Sequence, residues 1–541
     1  MNYAVAVLDI GKTNKKIRVY DDRLRPIATR KRHIDTIRYE ELDVEDVEAI
    51  EEWFLETLSE LAGEYPIRAL SITTHGASVV CVGEHGRPSV PPVAYTNEPE
   101  ASLHDEFYAA VGKSLPELQQ ETVTAEVKPL INVGKLLFFL QRRFPGEFPA
   151  TSHILMYPQY FAFRLTRIPA VDLTYAGCHS FLWNPHRNDW SVTVDRLGIR
   201  NLLPGKPIAP TQILGTITPA VAARTGLDPN TVVTAGIHDS NSSLVPYLVT
   251  KDEDFVLNST GTWCVAMHPT SDFSFQPEEL GKTVFYNMDY RGRPVKTSIV
   301  MAGLEYETYV ELLKERAKTG EVITPERNGG KPATGLVDPG FNPELYGRIA
   351  QEARAFILPA VLRGTGQFPE SEARVVEPGA ALTAKGAPAA GGAAPQVGAP
   401  PSPVRITTLA RILAGAPLPE PLRNWEEALA LVNISVAIQS AVALKRVNLK
   451  PGTTIYTEGG FRNNEAYLAL LSALLPENPV ALTSVEEATS FGAALIGKAA
   501  LEGCRVEELR DLVVLDVQPL PARTVPGLQE YAERFVALVE E

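Results

Sequence analysis

The chain is short of cysteine, of positive charge and of long apolar runs. Its four cysteines (Cys81, Cys178, Cys264, Cys504) stand far apart and form no CxxC pair. That spacing argues against a zinc module and a disulfide scaffold, and fits a reducing, cytoplasmic setting. No run of ~18 apolar residues occurs, so no transmembrane helix is expected. The apolar stretch 3–8 stops at Asp9 and has no basic residue before it, so it does not read as a signal peptide. Lys and Arg number 51 against 65 Asp and Glu, a formal charge of −14. An acidic chain disfavours nucleic acid or an anionic membrane as partner. Two phosphate-binding signatures are missing as well. The Gly-Lys-Thr triplets at 11–13 and 281–283 have Ala6 and Gln276 where a Walker loop needs glycine, and no GxGxxG occurs.

What is present is an ordinary globular composition, 45% hydrophobic and 21% charged. At ~150 residues per domain, 541 residues suggest two to four domains, ample for a core. Residues 3–9 are apolar and β-prone, and 16–20 alternate, which predicts a hairpin around Gly11. Apolar residues at helical spacing predict helices over 44–61 and 132–144, the latter ended by Pro145. A long helix is expected at 425–447, and a small-residue helix over 484–497 with a Ser or Thr cap. Strands are expected at 69–73, 79–82, 231–235, 255–258 and 454–457. Alternating strands and helices define the α/β class. Glycines and polar residues follow the carboxyl ends of at least four strands, the edge where ligands sit in open α/β sheets.

In the stretch 378–403, 20 of 26 residues are Ala, Gly or Pro. It has almost nothing to bury and reads as a disordered insertion.

Four turns carry the chemistry. Asp9-Ile10-Gly11-Lys12-Thr13-Asn14 surrounds a tight turn with an acid, a hydroxyl, an amide and an amine, which suits polyphosphate with a divalent cation. Ser259-Thr260-Gly261-Thr262-Trp263 is a second strand end dense in small donors. His238-Asp239, with Ser240 and Asn241, follows Gly236. Gly459-Gly460-Phe461-Arg462-Asn463-Asn464 could let backbone approach a flat base closely. Taken singly, each is as readily a polar hairpin, a glycine turn or, for Asp239, a helix cap.

Their order and spacing resemble the duplicated actin-like ATPase fold and, more narrowly, the FGGY family of carbohydrate kinases. The resemblance runs through most of the chain: LDIGKTN (8–14), ITTHGAS (72–78), KLLFFLQRRFP (135–145), YFAFRLT with Asp172 and Thr174, GIHD (236–239), STGTW (259–263), EGGFRNN (458–464) and EATSFGAA (487–494). His238 before Asp239 and the Gly-Thr-Trp loop look like the branch acting on 6-deoxy-ketoses such as L-rhamnulose and L-fuculose. Lys12 stands where the family usually has Thr or Ser, and Tyr95-Thr96-Asn97-Glu98-Pro99 departs from its Trp-x-Asp-x-Arg pattern.

The resemblance implies two actin-like (ribonuclease H-like) α/β domains around a central cleft, 1–248 on the sugar side and 249–541 on the adenosine side. It implies ATP and Mg²⁺ as cofactors, a small sugar as partner, and leaves a homodimer open. Asp239 would be the catalytic base, and Asp9 with Asp239 would hold the metal. Gly11, Lys12, Thr13, Asn14, Ser259, Gly261, Thr262, Gly459, Gly460 and Asn464 would meet the nucleotide. His75, Gly76, Asn97, Glu98, His238 and Asp239 would meet the sugar. Two other readings are a sugar-binding regulatory pseudokinase, suggested by Lys12 and Asn97-Glu98, and a non-kinase ATPase of the same fold.

Overall fold

Before Asp9 the strand Ala4–Ile10 carries no polar side chain, and all seven of its residues are buried. Burial on both faces is the rule for a central strand. The computed structural model describes residues 2–12, 14–324, 340–378, 404–483 and 487–541, with the backbone of 326–327 and 331–332. Thr13 and most of the expected insertion 378–403 lie outside the described residues.

The chain divides into two compact units. The first comprises Met1–Phe255, Met267–Thr297 and Thr483–Val517; the second comprises Val256–Ala266, Ser298–Leu482 and Gln518–Glu541.

The first unit is built on a sheet with strands in the order Ile213–Thr216, Val232–Thr234, Ile67–Thr74, Ala4–Ile10, Asn14–Asp21, Pro26–His33. The expected hairpin is there: Ala4–Ile10 runs antiparallel to Asn14–Asp21 and parallel to Ile67–Thr74. The third strand, Pro26–His33, escaped the sequence reading. It is mostly exposed and rich in cations, a protected edge with no apolar alternation to announce it.

Alternation along the first strand assigns its faces. Ala4, Ala6, Leu8 and Ile10 join a core with Val47, Ile50, Phe54 and Leu58 of helix Val47–Ala62. Val7 instead packs with Ala493, Ala494 and Ile496 of helix Ala488–Glu502. That second helix is small-residue for a steric reason. A Cβ on Gly492 would stand 1.9 Å from the Ser242 carbonyl oxygen, and one on Gly497 would meet Val5 Cγ1 at 2.9 Å. The helix is thus pressed between the sheet and helix Asp239–Thr250. Its start corrects the expectation of a Ser or Thr cap: Glu487 holds the cap position at φ +54° with no side-chain cap bond, and its carboxylate pairs with Lys16 at 2.5 Å.

In the second unit the strand segments 264–266, 256–260, 454–459 and 480–482 are neighbours in that order. Helix Trp425–Arg446 is long and apolar enough to cross a membrane. Seventeen of its residues are buried, however, and it serves as that unit's core helix. Strands Arg374–Glu377 and Arg405–Thr408 pair antiparallel with Glu377 opposite Arg405, so the two ends of the Ala/Gly/Pro stretch meet.

Candidate active site

Asp9 is the penultimate residue of its strand and points to the Ala488–Glu502 side, opposite to Leu8. It is 7% exposed, and its Oδ2 accepts a hydrogen bond from Ser490 Oγ at 2.6 Å. Burial pushes its carboxyl up to about 6, against the pull of the Lys16 charge and the Ser490 hydroxyl; the Asp239 charge adds to the rise. After it, the Gly11 amide donates to the Asn14 carbonyl at 3.1 Å and closes the turn. Lys12 is engaged by side chains of its own surroundings. It pairs with the buried carboxylate of Glu45 at 2.5 Å and stands 5.1 Å from the centre of the Tyr95 ring. Asn14 is exposed at the start of its strand.

Asp239 reaches the same sheet edge by a different path. Gly236 adopts φ +88°, and a Cβ there would lie 3.0 Å from Pro158 Cβ and 3.2 Å from the Ile72 carbonyl oxygen. The kink returns Ile237–His238 to the sheet, with Ile237 opposite Thr73, while Asp9 faces Thr73 from the other side. Ile237 is therefore level with Asp9 across the intervening strand, and Asp239 follows two residues on, just past the strand end. Asp239 opens helix Asp239–Thr250, but the cap position belongs to His238, which makes no side-chain cap bond. Asp239 Oδ1 accepts from the Ser240 amide at 2.6 Å and lies 3.3 Å from His238 Nε2. Burial raises its carboxyl above the usual range while His75 works in the other direction. One third of the side chain still reaches solvent, which tempers that rise.

A buried scaffold fixes this turn. The Asp172 carboxylate accepts from Thr174 Oγ1 at 2.5 Å, and Thr174 Oγ1 accepts from the His238 amide at 3.0 Å. Asn241 Nδ2 donates to the Thr174 carbonyl at 3.1 Å. Asp172 is fully enclosed, and burial lifts its carboxyl to about 7 despite these bonds.

His75 extends the strand Ile67–Thr74 and donates its amide to the Ile10 carbonyl at 3.0 Å. Its Nδ1 lies 2.9 Å from the Gly76 carbonyl oxygen, while its Nε2 is buried without a partner, as is His238 Nδ1. Burial holds both rings below the usual imidazole range, His238 at about 3. Gly76 passes under two rings: a Cβ there would be 2.6 Å from His238 Nε2 and 2.7 Å from His179 Cε1. The structure thus gathers Asp9, His75, Gly76, His238 and Asp239.

The other two expected sugar contacts, Asn97 and Glu98, lie in the segment after Tyr95. Asn97 donates from Nδ2 to the Asp43 and Ala94 carbonyls, both at 2.7 Å, and its Oδ1 accepts from the Asp43 amide at 2.9 Å. Both of its N–H donors and one lone pair of its oxygen fasten the loop. Glu98 is exposed and lines a separate surface pocket with Glu41, Glu106 and Arg142. Glu45, Cys178, His179 and Ser490 were not singled out from sequence; an isolated Cys-His pair and a glutamate before a helix carry no spacing signal.

In the second unit the two glycine turns come together through backbone. Thr260 Oγ1 donates to the Glu458 carbonyl and accepts from the Phe461 amide at 3.0 Å. Gly459 has φ +84°, and a Cβ on it would stand 1.8 Å from the Thr260 carbonyl oxygen. Gly303, in the first turn of helix Ala302–Lys318, abuts Gly261: a Cβ there would lie 2.0 Å from the Gly261 oxygen. Gly261, Thr262, Gly459 and Gly460 are exposed, and Ser259 is half-buried. Asn464, expected at the nucleotide, caps helix Glu465–Leu474. Its Oδ1 accepts from the Tyr467 amide at 2.9 Å, and its Nδ2 donates to Asn433 Oδ1 at 2.8 Å.

A mixed α/β architecture with paired acids at a strand edge in one unit and a glycine-lined backbone cradle in the other is the actin-like ATPase fold seen in sugar kinases. Residues 4–246 match the N-terminal domain of the FGGY family of carbohydrate kinases, and 252–328 match a C-terminal domain of the same family. The chain belongs to the FGGY family of carbohydrate kinases. Among solved structures it is similar to a carbohydrate kinase from Novosphingobium aromaticivorans, 23% identical with a TM-score of 0.70, covering 100% of this chain and 99% of that one. A xylulose kinase from Lactobacillus acidophilus is 16% identical with a TM-score of 0.70, covering 99% and 96%. Among curated relatives, a rhamnulokinase from Halalkalibacterium halodurans is 26% identical over 284 residues, 49% of this chain and 55% of that protein. A rhamnulokinase from Bacteroides thetaiotaomicron is 25% identical over 202 residues, 36% and 40% of the two chains. The chain spans about half the length, or less, of these relatives.

Proposed function

We propose that the protein transfers the γ-phosphoryl group of ATP to a hydroxyl of a sugar, with Asp239 taking the hydroxyl proton. The observation that carries this reading is the placement of Asp239: a carboxylate held by a kinked strand at the ligand-binding edge, partly open, with its cap role taken by another residue. Phosphoryl transfer asks the protein for alignment and charge neutralisation more than for covalent chemistry. A carboxyl raised above its ordinary range by burial is a stronger base than a free aspartate.

Asp9 and Asp239 offer oxygen ligands, and the Asp239 charge raises the cost of ionising Asp9, a donor set that fits Mg²⁺. Bound with ATP, the ion would neutralise charge on the phosphates. Ser259, Gly261 and Thr262 would border the phosphates and Gly459-Gly460 the adenosine, where backbone is exposed and, at Gly459, a side chain would not fit. The unpartnered His75 Nε2 and His238 Nδ1 would bond sugar hydroxyls as neutral imidazoles.

The acceptor we favour is a ketose, with L-rhamnulose or L-fuculose first to be tried. Its support is the His-Asp and Gly-Thr-Trp motifs together with the rhamnulokinase relatives. Lys12, the departure that suggested a regulatory pseudokinase, is neutralised by Glu45 and leaves the acids free. A coupled ADP-release screen over ketoses, aldoses and polyols tests both levels. Turnover confined to glycerol or an aldose overturns the ketose assignment, and absence of sugar-dependent ADP release overturns the kinase.

A further inference from the structure

Cys178, His179 and His238 turn their ligand atoms toward one another beside Asp239, within 4.8 Å across the set. Cys178 Sγ lies 3.4 Å from His179 Nδ1 and 3.8 Å from His238 Nε2. Around a tetrahedral zinc ion, bond lengths of ~2.3 Å to sulfur and ~2.0 Å to nitrogen place such ligand atoms about 3.3–3.6 Å apart. The cluster is therefore near ligating geometry already, and ring rotation closes the widest gap. We propose that Cys178, His179 and His238 form a binding site for a borderline-soft divalent cation of the zinc class, with Asp239 or water as fourth ligand.

The local structure holds these side chains in place. Gly177 is wedged on Met288, where a Cβ would meet the sulfur at 2.5 Å. Ser180 Oγ donates to the Ala176 carbonyl and accepts from the Leu182 amide at 3.0 Å. His179 has φ +32°, and its carbonyl accepts from Asn132 Nδ2 at 3.0 Å. Its ring stacks parallel to Phe285 with centroids 6.2 Å apart. His238 is pinned through its amide by Thr174 and at its ring edge by Tyr175. A left-handed histidine costs conformational energy, and surrounding structure has to over-determine it. Gly76 keeps the space between the two rings clear.

The chemistry selects the ion. Imidazole nitrogen is a good ligand for such an ion. The Cys178 thiol is buried and protonated, and binding replaces S–H by S–metal with release of one proton. Thiolate with imidazole suits zinc or cobalt, whereas Mg²⁺ takes oxygen. Asp239 Oδ1 is 3.3 Å from His238 Nε2, so an ion here also engages the proposed base. The consequence, inhibition of phosphoryl transfer by zinc, rests on the proposed function; the site itself does not.

Titration of the full chain with Co²⁺ tests the site. The expected result is one tight ion per chain, a thiolate-to-cobalt charge-transfer band, displacement by Zn²⁺, and a melting temperature raised by either metal. Cys178→Ser should lose the band, which separates this thiol from Cys81, Cys264 and Cys504. No band in the parent protein, or a band unchanged in Cys178→Ser, overturns the site. His179→Gln keeps the thiol and should weaken Co²⁺ at least about 100-fold if the ring is a ligand; unchanged affinity also overturns it, even where Cys178→Ser fails to fold. In the kinase assay Zn²⁺ should inhibit the parent enzyme but not Cys178→Ser, each measured against its own zinc-free rate. Cobalt binding without zinc inhibition overturns the link to Asp239 alone, and absence of any sugar kinase activity leaves the spectrum to decide the site.

Discussion

The Asp239 turn and the Gly459 turn are built from opposite materials. Around Asp239 the working groups are side chains: Asp9, His75 and His238 are buried, and their ionisation is shifted by that burial. Around Gly459 the working group is the backbone, brought within reach by glycines at 303 and 459. Side chains differ in reach, charge and hydrogen bonding, so the first region can discriminate among hydroxyl patterns. Backbone amides and carbonyls are the same in every protein, so the second suits a ligand common to many enzymes. The contrast predicts that chemistry and acceptor choice break in the first region, whereas nucleotide binding breaks in the second.

The largest effect should come from Asp239→Asn. Asn is nearly isosteric and caps helices about as well as Asp, yet cannot take a proton. A general base contributes ~10²–10⁴ in rate, so kcat should fall by about that range while nucleotide affinity and sugar Kd change little. Near-normal turnover would return Asp239 to a structural role.

Next is Glu305, in the first turn of the helix that meets Gly261. It is 3% exposed, accepts from Gln439 Nε2 at 2.8 Å, and burial raises its carboxyl to about 7 from 4.5. The folded protein then binds a proton that the unfolded chain releases between those values. Stability is highest below pH 4.5, falls as pH rises to about 7 and levels off above it, a loss of up to roughly 3 kcal/mol from this group. Glu305→Gln should flatten that slope and raise the melting temperature at pH 8. An unchanged pH profile of melting contradicts the assignment.

Two glycines make the comparison directly. Gly459→Ala forces a Cβ onto the Thr260 carbonyl at positive φ, strain of ~1–3 kcal/mol that backbone must absorb. Calorimetry should show ADP affinity down at least about tenfold. Gly76→Ala presses on the His179 and His238 rings, which can rotate. It should leave ADP affinity intact and raise the sugar KM by about tenfold, the loss of one well-made hydrogen bond. Exchanged outcomes would dissolve the division between the two regions. The smallest effect is expected from replacing 379–403 by a short Gly/Ser bridge. Glu377 and Arg405 already pair, so melting temperature and turnover should stay as they were; loss of folding would show that the stretch contributes to the core.

The backbone-built region was the more legible in sequence. Glycine is named by its letter, and the Gly-Thr and Gly-Gly turns lie where strand patterns end. The first hairpin was equally plain, because burial on both faces leaves a run with no polar residue. The side-chain region was legible only in part. His75, His238 and Asp239 stood in motifs, but what holds them did not: Asp172 is 67 residues from Asp239, and Ser490 is 481 from Asp9. Asn97 and Asn464 look like contacts in sequence because an amide can serve a ligand or a loop equally well. In the structure each amide serves the chain's own groups, the Asp43 and Ala94 carbonyls or the Tyr467 amide.

The central claim is that Asp239 moves a proton from a sugar hydroxyl as the γ-phosphoryl group of ATP is transferred to that oxygen. Phosphorus NMR of the protein with Mg-ATP and the ketose selected by the screen observes this product. The account predicts a new phosphomonoester signal growing in step with ADP, and its loss in Asp239→Asn while ADP still binds. Inorganic phosphate with no ester, or an ester formed as fast by Asp239→Asn, would contradict it.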